Sequence, residues 1–526
     1  MHISAGLNIT GPIYHIPVAP IPNNIKWVVD ASFADIATWL DAGDWEASAE
    51  LIKSNVRRSV YRFTHDTRVY YLKHEHPRGL RNSIRSIWQC RAHQEFAAGG
   101  ALATVGVPAV VCPAWGRAGR DSVLLTVGIA AQDVEPTWCE IRSHEKERHR
   151  YLDGMAAFVA SLQKAGVVHC DLHPGNVIVK QCQGYYHFYL VDLYGVRANQ
   201  ALRRRDRFDH VHWARNIVRE LDGAAELFPI LRAASLCDTI DAVPDLLHEI
   251  MHRDIRRADA RWPGRKLRYL RDSSLCELQR EKNATWIVRR PFTYDDARTA
   301  IAKHRSQMTA QTNVLKNDRK RCLTRVYLAE QSYVVKEYRR LRGRPPFTAD
   351  YRSWLNTHRL VSFCIPRPNA IAWCHTNHCS FIIMEDIGDR ILKSELAKSD
   401  YQQRRYWLAA LSQIVAELHT LRIFHRDLKI TNVLIRESTA ATKTELVVVD
   451  LDDIRFQTRI NHRRRHKNLA QIMESLPQSV TRWDRHRFLA SYRQHCGLPK
   501  KEFRLIANEL KRNGLLQHGT PPSNDR

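Results

Sequence analysis

The chain has 526 residues, of which 44% are hydrophobic and 26% are charged, and this globular composition excludes a disordered protein, a collagen and a bundle of membrane helices. At about 100–200 residues per domain, the length predicts two or more domains. Lysine and arginine number 81 against 55 aspartate and glutamate, so the net charge is +26, which indicates anionic partners such as nucleic acid, an acidic membrane face or phosphorylated substrates.

Signals for targeting, membrane insertion and metal binding are weak. The best apolar run, residues 123–131, is shorter than the roughly 18 residues that a bilayer span requires. Residues 1–22 have no basic segment, and prolines interrupt their apolar residues, so we expect no signal peptide and a cytoplasmic location. The twelve cysteines include no CxxC pair. The Cys/His cluster at 374–379 lacks a second ligand pair, so we expect a strand–turn–strand there rather than zinc.

An internal repeat sets the organisation of the chain. Five blocks recur with nearly constant spacing; for example, Lys73 and Lys336 lie 263 residues apart, and His169 and His425 lie 256 residues apart. A period this long predicts two copies of one domain rather than a solenoid. The predicted domains are residues 1–280 and 281–526, joined within the charged stretch 271–282.

The predicted elements follow the same order in both copies. Alternating β-branched and aromatic runs predict a hairpin, and longer amphipathic segments predict helices. The first copy has strands 60–63 and 69–73, a helix over 84–102, a strand over 122–127 and a helix over 149–165. The second copy has strands 324–328 and 333–336, a helix over 350–360, a strand over 380–384 and a helix over 401–421. The predicted fold class is α+β, with a small β-rich lobe and a larger helical lobe in each copy.

One motif after the long helix carries the chemistry. The first copy reads HCDLHPGN at 169–176 and the second reads HRDLKITN at 425–432, each followed by a strand and a further aspartate. Phosphoryl transfer needs a carboxylate beside the acceptor hydroxyl, and an amide oxygen with a second carboxylate to hold Mg²⁺ on the nucleotide. A strand lysine far upstream can reach the α- and β-phosphates.

This pattern is similar to that of protein-kinase-like enzymes. Its finer sequence resembles the lipopolysaccharide kinase (Kdo/WaaP) family, in HRDLKITNVLI before VVVDLDDIRF, in HCDLHPGNVIV before LVDLYGVR, and in the basic run 463–467. The resemblance covers most of both copies. It implies two tandem protein-kinase-like domains that use ATP and Mg²⁺.

The resemblance also implies a role for each motif residue, with two catalytic aspartates, three residues at ATP and four magnesium ligands. The implied catalytic residues are Asp171 and Asp427. The implied ATP-binding residues are Lys73 with its helix partner Glu95, and Lys336. The implied magnesium ligands are Asn176, Asp192, Asn432 and Asp450.

The sequence departs from the pattern in two places. Neither copy has a glycine-rich loop before its lysine, so the phosphates would be covered by other backbone or by arginines; the candidates are Arg57, Arg58, Arg319 and Arg321. In the second copy Ser353 aligns with Glu95, and Asp350 is a candidate substitute for the missing glutamate. Otherwise the geometry of ATP in the second copy would be weaker.

The resemblance implies transfer of the γ-phosphoryl group of ATP to an inner-core lipopolysaccharide sugar, heptose or Kdo. The alternatives are a kinase of protein or small-molecule hydroxyls, and a pseudokinase scaffold in which one or both copies are inactive. The basic runs 203–205 and 463–465 fit solvated helix starts or the capture of an anionic acceptor or of the inner membrane. We find no aromatic-interleaved motif for nucleic acid, so no nucleic-acid partner is expected.

Overall fold

A computed structural model describes residues 24–43, 45–55, 58–77, 90–217, 224–339, 349–363, 365–437 and 445–516. The chain divides into two units, residues 1–250 (unit 1) and 251–526 (unit 2). Each unit contains helices and sheet, as the α+β prediction expects. Within the described ranges, no helix combines the length and the apolar character that crossing a bilayer requires.

Unit 1 begins with an antiparallel sheet that has six strands among the described residues, in the order β1-β5-β6-β4-β3-β2. The strands are β1 Lys26–Val29, β2 Glu50–Asn55, β3 Arg58–His65, β4 Arg68–Glu75, β5 Ala114–Ala118 and β6 Asp121–Val127. Asp66 and Thr67 both have positive φ, the backbone of a tight two-residue turn between β3 and β4. Alternate residues of β3, including Tyr61 and Phe63, are buried in the core of this sheet.

The rest of unit 1 is mainly helical. Its helices are α1 Ala37–Ala42, α2 Arg91–Thr104, α3 Val134–Ile141, α4 Glu145–Lys164, α5 Arg204–Ile217, α6 Ala224–Ala233 and the start of α7 Val243–Arg268. Its short strands are β7 Gln132–Asp133, β8 Val168–His169, β9 Val177–Cys182, β10 Tyr185–Leu190 and β11 Val196–Arg197. Helix α4 supplies the fully buried Tyr151 and Met155 to the core of this part.

Unit 2 repeats this plan with an additional strand. Its sheet has seven strands among the described residues, in the order β12-β13-β17-β18-β16-β15-β14. These strands are β12 Cys276–Arg280, β13 Ala284–Arg289, β14 Val314–Asn317, β15 Arg321–Leu328, β16 Gln331–Arg339, β17 Ala370–Thr376 and β18 Cys379–Glu385. The short strands that follow are β19 Ile423–His425, β20 Val433–Arg436, β21 Glu445–Val448 and β22 Ile454–Phe456.

Seven helices lie in the described part of unit 2 beyond α7. They are α8 Tyr294–Ala310, α9 Ala349–Val361, α10 Leu392–Lys398, α11 Tyr401–Thr420, α12 His462–Ser475, α13 Arg482–Cys496 and α14 Lys500–Arg512. The end of α7 also belongs to this unit, because Ile255 packs into the same core as Leu360.

The division between the units comes earlier in the chain than the predicted joint. It lies between Ile250 and Met251, whereas the sequence predicts a joint within 271–282. The difference has a physical reason, because β12, Cys276–Arg280, lies within that stretch and pairs along its length with β13. Residues 251–280 therefore lie with unit 2.

Most predicted elements have a counterpart in the structure. The two predicted hairpins are confirmed as β3–β4 and β15–β16, and the two long helices are confirmed as α4 and α11. The predicted helix over 84–102 is described from Arg91 onward, and its first residues lie outside the described part. The Cys/His cluster forms the hairpin β17–β18, and no group of three or more metal-binding His, Cys, Asp or Glu side chains occurs among the described residues.

Candidate active sites

In unit 1 the predicted lysine–glutamate pair is formed. Lys73 follows the buried Leu72 on β4, so its side chain leaves the opposite face of the strand. Its Nζ donates to Oε2 of Glu95 on α2 at 2.8 Å and to the carbonyl oxygen of Val191 at 3.1 Å. Glu95 is only 1% exposed. Lys73 is therefore bonded to the residue that directly precedes the predicted metal ligand Asp192.

Two arginines complete this cluster of charges. Arg58 Nη2 and Arg91 Nε lie 3.0 and 3.3 Å from Glu95 Oε1. The same guanidinium groups lie 3.7 and 3.5 Å from Asp192 Oδ2. Burial alone would raise the pKa of the Asp192 carboxyl, but Lys73, Arg58 and Arg91 outweigh it and lower the pKa. Asp192 is therefore held as a carboxylate.

The HxDxxxxN loop of unit 1 is fixed by three hydrogen bonds. His169 Nδ1 accepts from the amide of Asp171 at 3.1 Å, so its Nε2 donates to the carbonyl oxygen of Asp192 at 3.0 Å. Asn176 Nδ2 donates to the carbonyl oxygen of Asp171 at 2.9 Å. Burial lowers the pKa of His169, which favours this neutral tautomer. The Asp171 carboxylate itself is 67% exposed and accessible to an acceptor.

Unit 2 repeats the same loop geometry. The amide of Asp427 donates to His425 Nδ1 at 3.2 Å, and His425 Nε2 donates to the carbonyl oxygen of Val449 at 3.2 Å. Asn432 Nδ2 donates to the carbonyl oxygen of Asp427 at 2.9 Å. Lys429 Nζ lies 3.0 Å from Asp427 Oδ1, and the Asp427 side chain is 41% exposed. Both units thus present an exposed aspartate on a loop that a buried histidine holds.

The lysine of unit 2 has different partners. Lys336 Nζ donates to Asp450 Oδ1 at 2.7 Å and to Asp452 Oδ1 at 2.9 Å. The side chains of Lys336 and Asp452 are 3% and 2% exposed. Burial disfavours the charged lysine, but Asp452 and Asp450 are among the groups that outweigh it and raise the pKa of Lys336. Asp452 therefore provides the carboxylate that a helix glutamate provides in unit 1.

The candidate substitute Asp350 does not fill this role. Its Oδ2 accepts from Trp373 Nε1 at 3.0 Å, because Asp350 lies in the first turn of α9 against β17. Ser353, which aligns with Glu95, hydrogen-bonds with Tyr338 instead of with the lysine. The proposal of Asp350 as the partner of Lys336 is corrected to Asp452. The sequence signal that could have identified it is the triplet Asp-Leu-Asp at 450–452, where unit 1 has Asp-Leu-Tyr.

An arginine at the start of the hairpin is common to both sites. Arg321 Nη1 lies 3.5 Å from Asp450 Oδ1, and its Nη2 lies 3.1 Å from Asp452 Oδ2, so Arg321 bridges two carboxylates as Arg58 does. Of the other arginines that could cover the phosphates, Arg319 is exposed on the loop before β15, and Arg57 lies outside the described residues.

The predicted magnesium ligands offer the oxygen atoms that this ion prefers. In each unit the amide nitrogen of the Asn is engaged by the loop, which leaves its Oδ1 as an acceptor. The amides of Val191 and Val449 donate to the carbonyl oxygens of Asn176 and Asn432 at 3.1 and 3.0 Å. These bonds place each Asn beside the residue that precedes the second aspartate. One carboxylate, one amide oxygen and substrate phosphates form a suitable donor set for Mg²⁺.

The basic runs combine structural and exposed arginines. Arg465 Nη1 donates to the hydroxyl of Tyr492 at 3.0 Å, and Arg465 Nε lies 3.5 Å from Glu502, so this residue fastens α12 to its neighbours. Arg204 pairs with Glu249 at the surface, at 2.7 Å. The capture of an anion by these runs stays a prediction for their exposed members only.

Comparison with known proteins identifies the family. A family model described as the lipopolysaccharide kinase (Kdo/WaaP) family matches residues 37–212 and 304–492. The lipopolysaccharide core heptose(I) kinase WaaP of Escherichia coli strain K12 is 26% identical over 181 residues, which cover 32% of this chain and 67% of that protein. A second Escherichia coli WaaP is 26% identical over 208 residues, covering 35% of this chain and 78% of that protein.

Among solved structures, the bifunctional kinase-methyltransferase WbdD matches with 20% identity and a TM-score of 0.24, covering 36% of this chain and 47% of that chain. The family match is the stronger finding, because its two segments include both HxDxxxxN loops and together exceed half of the chain. The chain therefore belongs to the lipopolysaccharide kinase (Kdo/WaaP) family, to which it matches twice in tandem, and it is a kinase.

Proposed function

We propose that this kinase transfers the γ-phosphoryl group of ATP to a hydroxyl group of an inner-core lipopolysaccharide sugar, heptose or Kdo. Each unit would act as a protein-kinase-like domain with a β-rich lobe and a helical lobe. One observation carries the proposal: both units hold an exposed aspartate, an asparagine bonded to its carbonyl group, and a lysine beside a second aspartate. That set matches the groups that phosphoryl transfer uses.

In this proposal Asp171 and Asp427 orient the acceptor hydroxyl and take its proton. Their backbone amides are bonded to buried histidines, so the loop that carries each carboxylate is fixed before the acceptor arrives. Positioning of this kind removes entropy from the step that forms the new bond. Mg²⁺, when bound to the asparagine and the second aspartate, supplies neutralisation of the phosphate charge.

The lysine and the arginines near the second aspartate would bind the phosphates of ATP. In unit 1, Lys73, Arg58 and Arg91 surround Glu95 and Asp192. These three cations are already held in place by carboxylates, so they need little reorganisation to contact phosphate oxygens. Arg58 and Arg321 would replace the glycine-rich loop that neither unit has before its lysine.

The test compares Asp171→Asn, Asp427→Asn and the double variant for transfer of labelled phosphate from ATP to purified lipopolysaccharide core. Loss of a proton acceptor in a transferase costs about 100-fold or more in rate. We expect the double variant to lose at least that much, and a loss in only one single variant would identify the active unit. Unchanged transfer in the double variant would refute the mechanism. A parallel panel of protein and small-molecule acceptors tests the alternative substrates.

A second candidate is that unit 2 binds a partner and supports unit 1 without turnover. The observation that favours it is the absence of a helix glutamate beside Lys336, whose Nζ lies instead 2.7 Å from the predicted metal ligand Asp450. A thermal shift with Mg²⁺ and ATP that disappears in Asp192→Ala but persists in Asp450→Ala would support this division of labour.

We further propose that the enzyme acts in the cytoplasm against the inner membrane. The support is the net charge of +26, since basic segments are attracted to anionic headgroups and to phosphorylated sugars. Co-sedimentation of the full chain with vesicles that contain phosphatidylglycerol tests this: binding that disappears in neutral vesicles is expected, and equal recovery with both kinds of vesicle would contradict it.

A further inference from the structure

Unit 1 has a pocket at the C-terminal end of α4. Its volume is about 530 Å³, which is within the range of small-molecule sites. The end of α4, the segment after β11, the start of α5 and the end of α6 form its walls. Six of the lining residues have polar side chains: Gln163, Lys164, Asn199, Gln200, Arg207 and Ser235.

The charge of this lining is positive. Lys164 and Arg207 are its two cations, and no aspartate or glutamate is among the lining residues. Neither cation forms an ion pair with another described residue. Two positive charges in one pocket repel each other when no counter-ion is present. The pocket therefore favours an anion from outside the chain.

The guanidinium group of Arg207 has an unused donor. Its Nη1 donates to the carbonyl oxygen of Ser235 at 3.1 Å, which fixes the side chain at the wall of the pocket. Its Nε is buried and has no hydrogen-bond partner within the described part of the chain. Buried donors normally have an acceptor, so Arg207 favours an acceptor that the chain itself does not supply.

A buried histidine orients one of the amide side chains. Burial lowers the pKa of His210 to about 4, so its ring is neutral. Its Nε2 donates to the carbonyl oxygen of Val167 at 2.8 Å, and its Nδ1 therefore accepts from Gln163 Nε2 at 2.5 Å. This arrangement leaves Oε1 of Gln163 as an acceptor for a hydroxyl group.

The pocket is separate from the catalytic loop. The amides of Asn199 and Gln200 donate to the carbonyl oxygens of Ala165 and Gly166, both at 2.9 Å, and so continue the pairing of β8 with β11. The chain then runs from Gly166 through β8 to Asp171. At about 3.3 Å per residue these five steps span at most about 17 Å.

Unit 2 has different residues at the equivalent place. The amide of Gln457 donates to the carbonyl oxygen of Arg422 at 2.9 Å, as Gln200 does to Gly166, so Arg422 stands in the place of Gly166. At the same spacing, Thr420 stands in the place of Lys164. The fold therefore does not require a lysine at this position.

We propose that the pocket of unit 1 binds an anionic sugar at a place separate from Asp171. Lys164 and Arg207 bind the anionic group, which is a phosphate ester or a carboxylate. The amides and the hydroxyl of the lining supply the donors and acceptors that sugar hydroxyls need. The choice of a sugar rests on the proposed function, in which the acceptor is a saccharide, whereas the preference for an anion rests on the lining alone.

The test is calorimetric titration of the full chain with glucose 6-phosphate, gluconate and glucose, each in saturating Mg²⁺ and a non-hydrolysable ATP analogue. Lys164→Gln and Arg207→Gln should each weaken the binding of the anionic sugars about tenfold, because each loses a charge-assisted hydrogen bond. Lys164 is exposed at the end of α4, so Lys164→Gln remains informative if Arg207→Gln fails to fold.

Arg232→Gln is the matched control, because Arg232 is an exposed cation of α6 that does not line the pocket. It is expected to leave the affinity unchanged. Tighter binding of glucose 6-phosphate identifies a phosphate ester as the anionic group, and tighter binding of gluconate identifies a carboxylate.

The proposal is overturned if neither anionic sugar binds, or if glucose binds as tightly as they do. It is also overturned if Lys164→Gln binds as wild type does, or if Arg232→Gln weakens binding equally. Because the titration measures binding without turnover, a failure of the proposed kinase reaction would show in the transfer assay and not here.

Discussion

In unit 2, Lys336 and Arg321 are paired with the carboxylates of Asp450 and Asp452. Replacing Asp452 by Asn removes one negative charge from this group and hardly changes the shape of the side chain. Asp452 Oδ1 lies 2.9 Å from Lys336 Nζ and its Oδ2 lies 3.1 Å from Arg321 Nη2. An asparagine accepts from one of these cations but presents an amide N–H to the other. The substitution thus breaks one charge-assisted hydrogen bond and leaves a cation without its partner.

The expected loss of stability follows from burial. Removing one partner of a buried ion pair costs about 3–5 kcal/mol, because the remaining charge is uncompensated. Lys336 keeps Asp450 at 2.7 Å, so we expect the lower end, about 3 kcal/mol. At 1.4 kcal/mol per factor of ten, the unfolding equilibrium of unit 2 shifts by about 100-fold.

Hydrogen exchange followed by mass spectrometry resolves this effect within the full chain. Amides in the peptide that covers β16, Gln331–Arg339, should exchange about 100-fold faster in Asp452→Asn, since their protection reports the opening of this region. The same substitution at the neighbouring Asp453, whose side chain has no ion pair within the described residues, is the matched control. Peptides of unit 1 should be unaffected.

The reasoning fails if Asp453→Asn has the same effect as Asp452→Asn. It also fails if exchange in β16 is unchanged in Asp452→Asn, because the carboxylate would then contribute no net stabilisation to Lys336.

Three further predictions concern other parts of the two sites and their scaffold. Arg321→Ala should weaken ATP binding to unit 2 about tenfold through a lost charge-assisted contact, measured with a fluorescent nucleotide analogue. Burial raises the pKa of Asp450, but the neighbouring cations Lys336, Arg321 and Lys316 outweigh it and bring the pKa to about 2. The stabilisation from this carboxylate is complete above about pH 4 and is lost as the pH falls to 2, so Asp450→Asn should flatten acid unfolding in that window, followed by circular dichroism. Gly154→Ala should destabilise unit 1 by about 2 kcal/mol in thermal unfolding, because a Cβ would overlap the carbonyl oxygen of Tyr186. In contrast, Gly100→Ala should stabilise unit 1 by about 0.5–1 kcal/mol, because its Cβ meets no described atom within 4 Å.

Much of the fold could be predicted because the repeat supplies each element twice. The strand pair around Lys73 is readable from alternating apolar residues, and its counterpart around Lys336 supports the same interpretation. The pairing of Lys73 with Glu95 could also be predicted, since the resemblance implies a helix glutamate and Glu95 lies on the helix that follows the hairpin. These features depend on local periodicity and on spacing, which sequence reports directly.

The partner of Lys336 could not be predicted in the same way. The alignment with unit 1 points to α9, where Asp350 lies only three residues before Ser353, the position that matches Glu95. However, the Asp350 carboxylate accepts a hydrogen bond from Trp373 instead. The acid that reaches the lysine, Asp452, comes from a turn more than a hundred residues further along the chain. The use of an acid from a distant part of the fold depends on the direction in which its side chain points, and the spacing of residues in the sequence does not show that direction. The sequence suggests Arg321 for binding phosphates, but its two carboxylate partners, Asp450 and Asp452, are seen only in the structure.

The position of β12 has a practical consequence for fragments of this protein. A fragment that starts at residue 281 lacks this strand, so the outer backbone groups of β13 lose the partners that they have in Cys276–Arg280. An exposed strand edge is a template for pairing with other molecules, and such a fragment should self-associate. A fragment that starts at residue 251 keeps the edge covered and also retains Ile255, whose apolar contacts lie in unit 2.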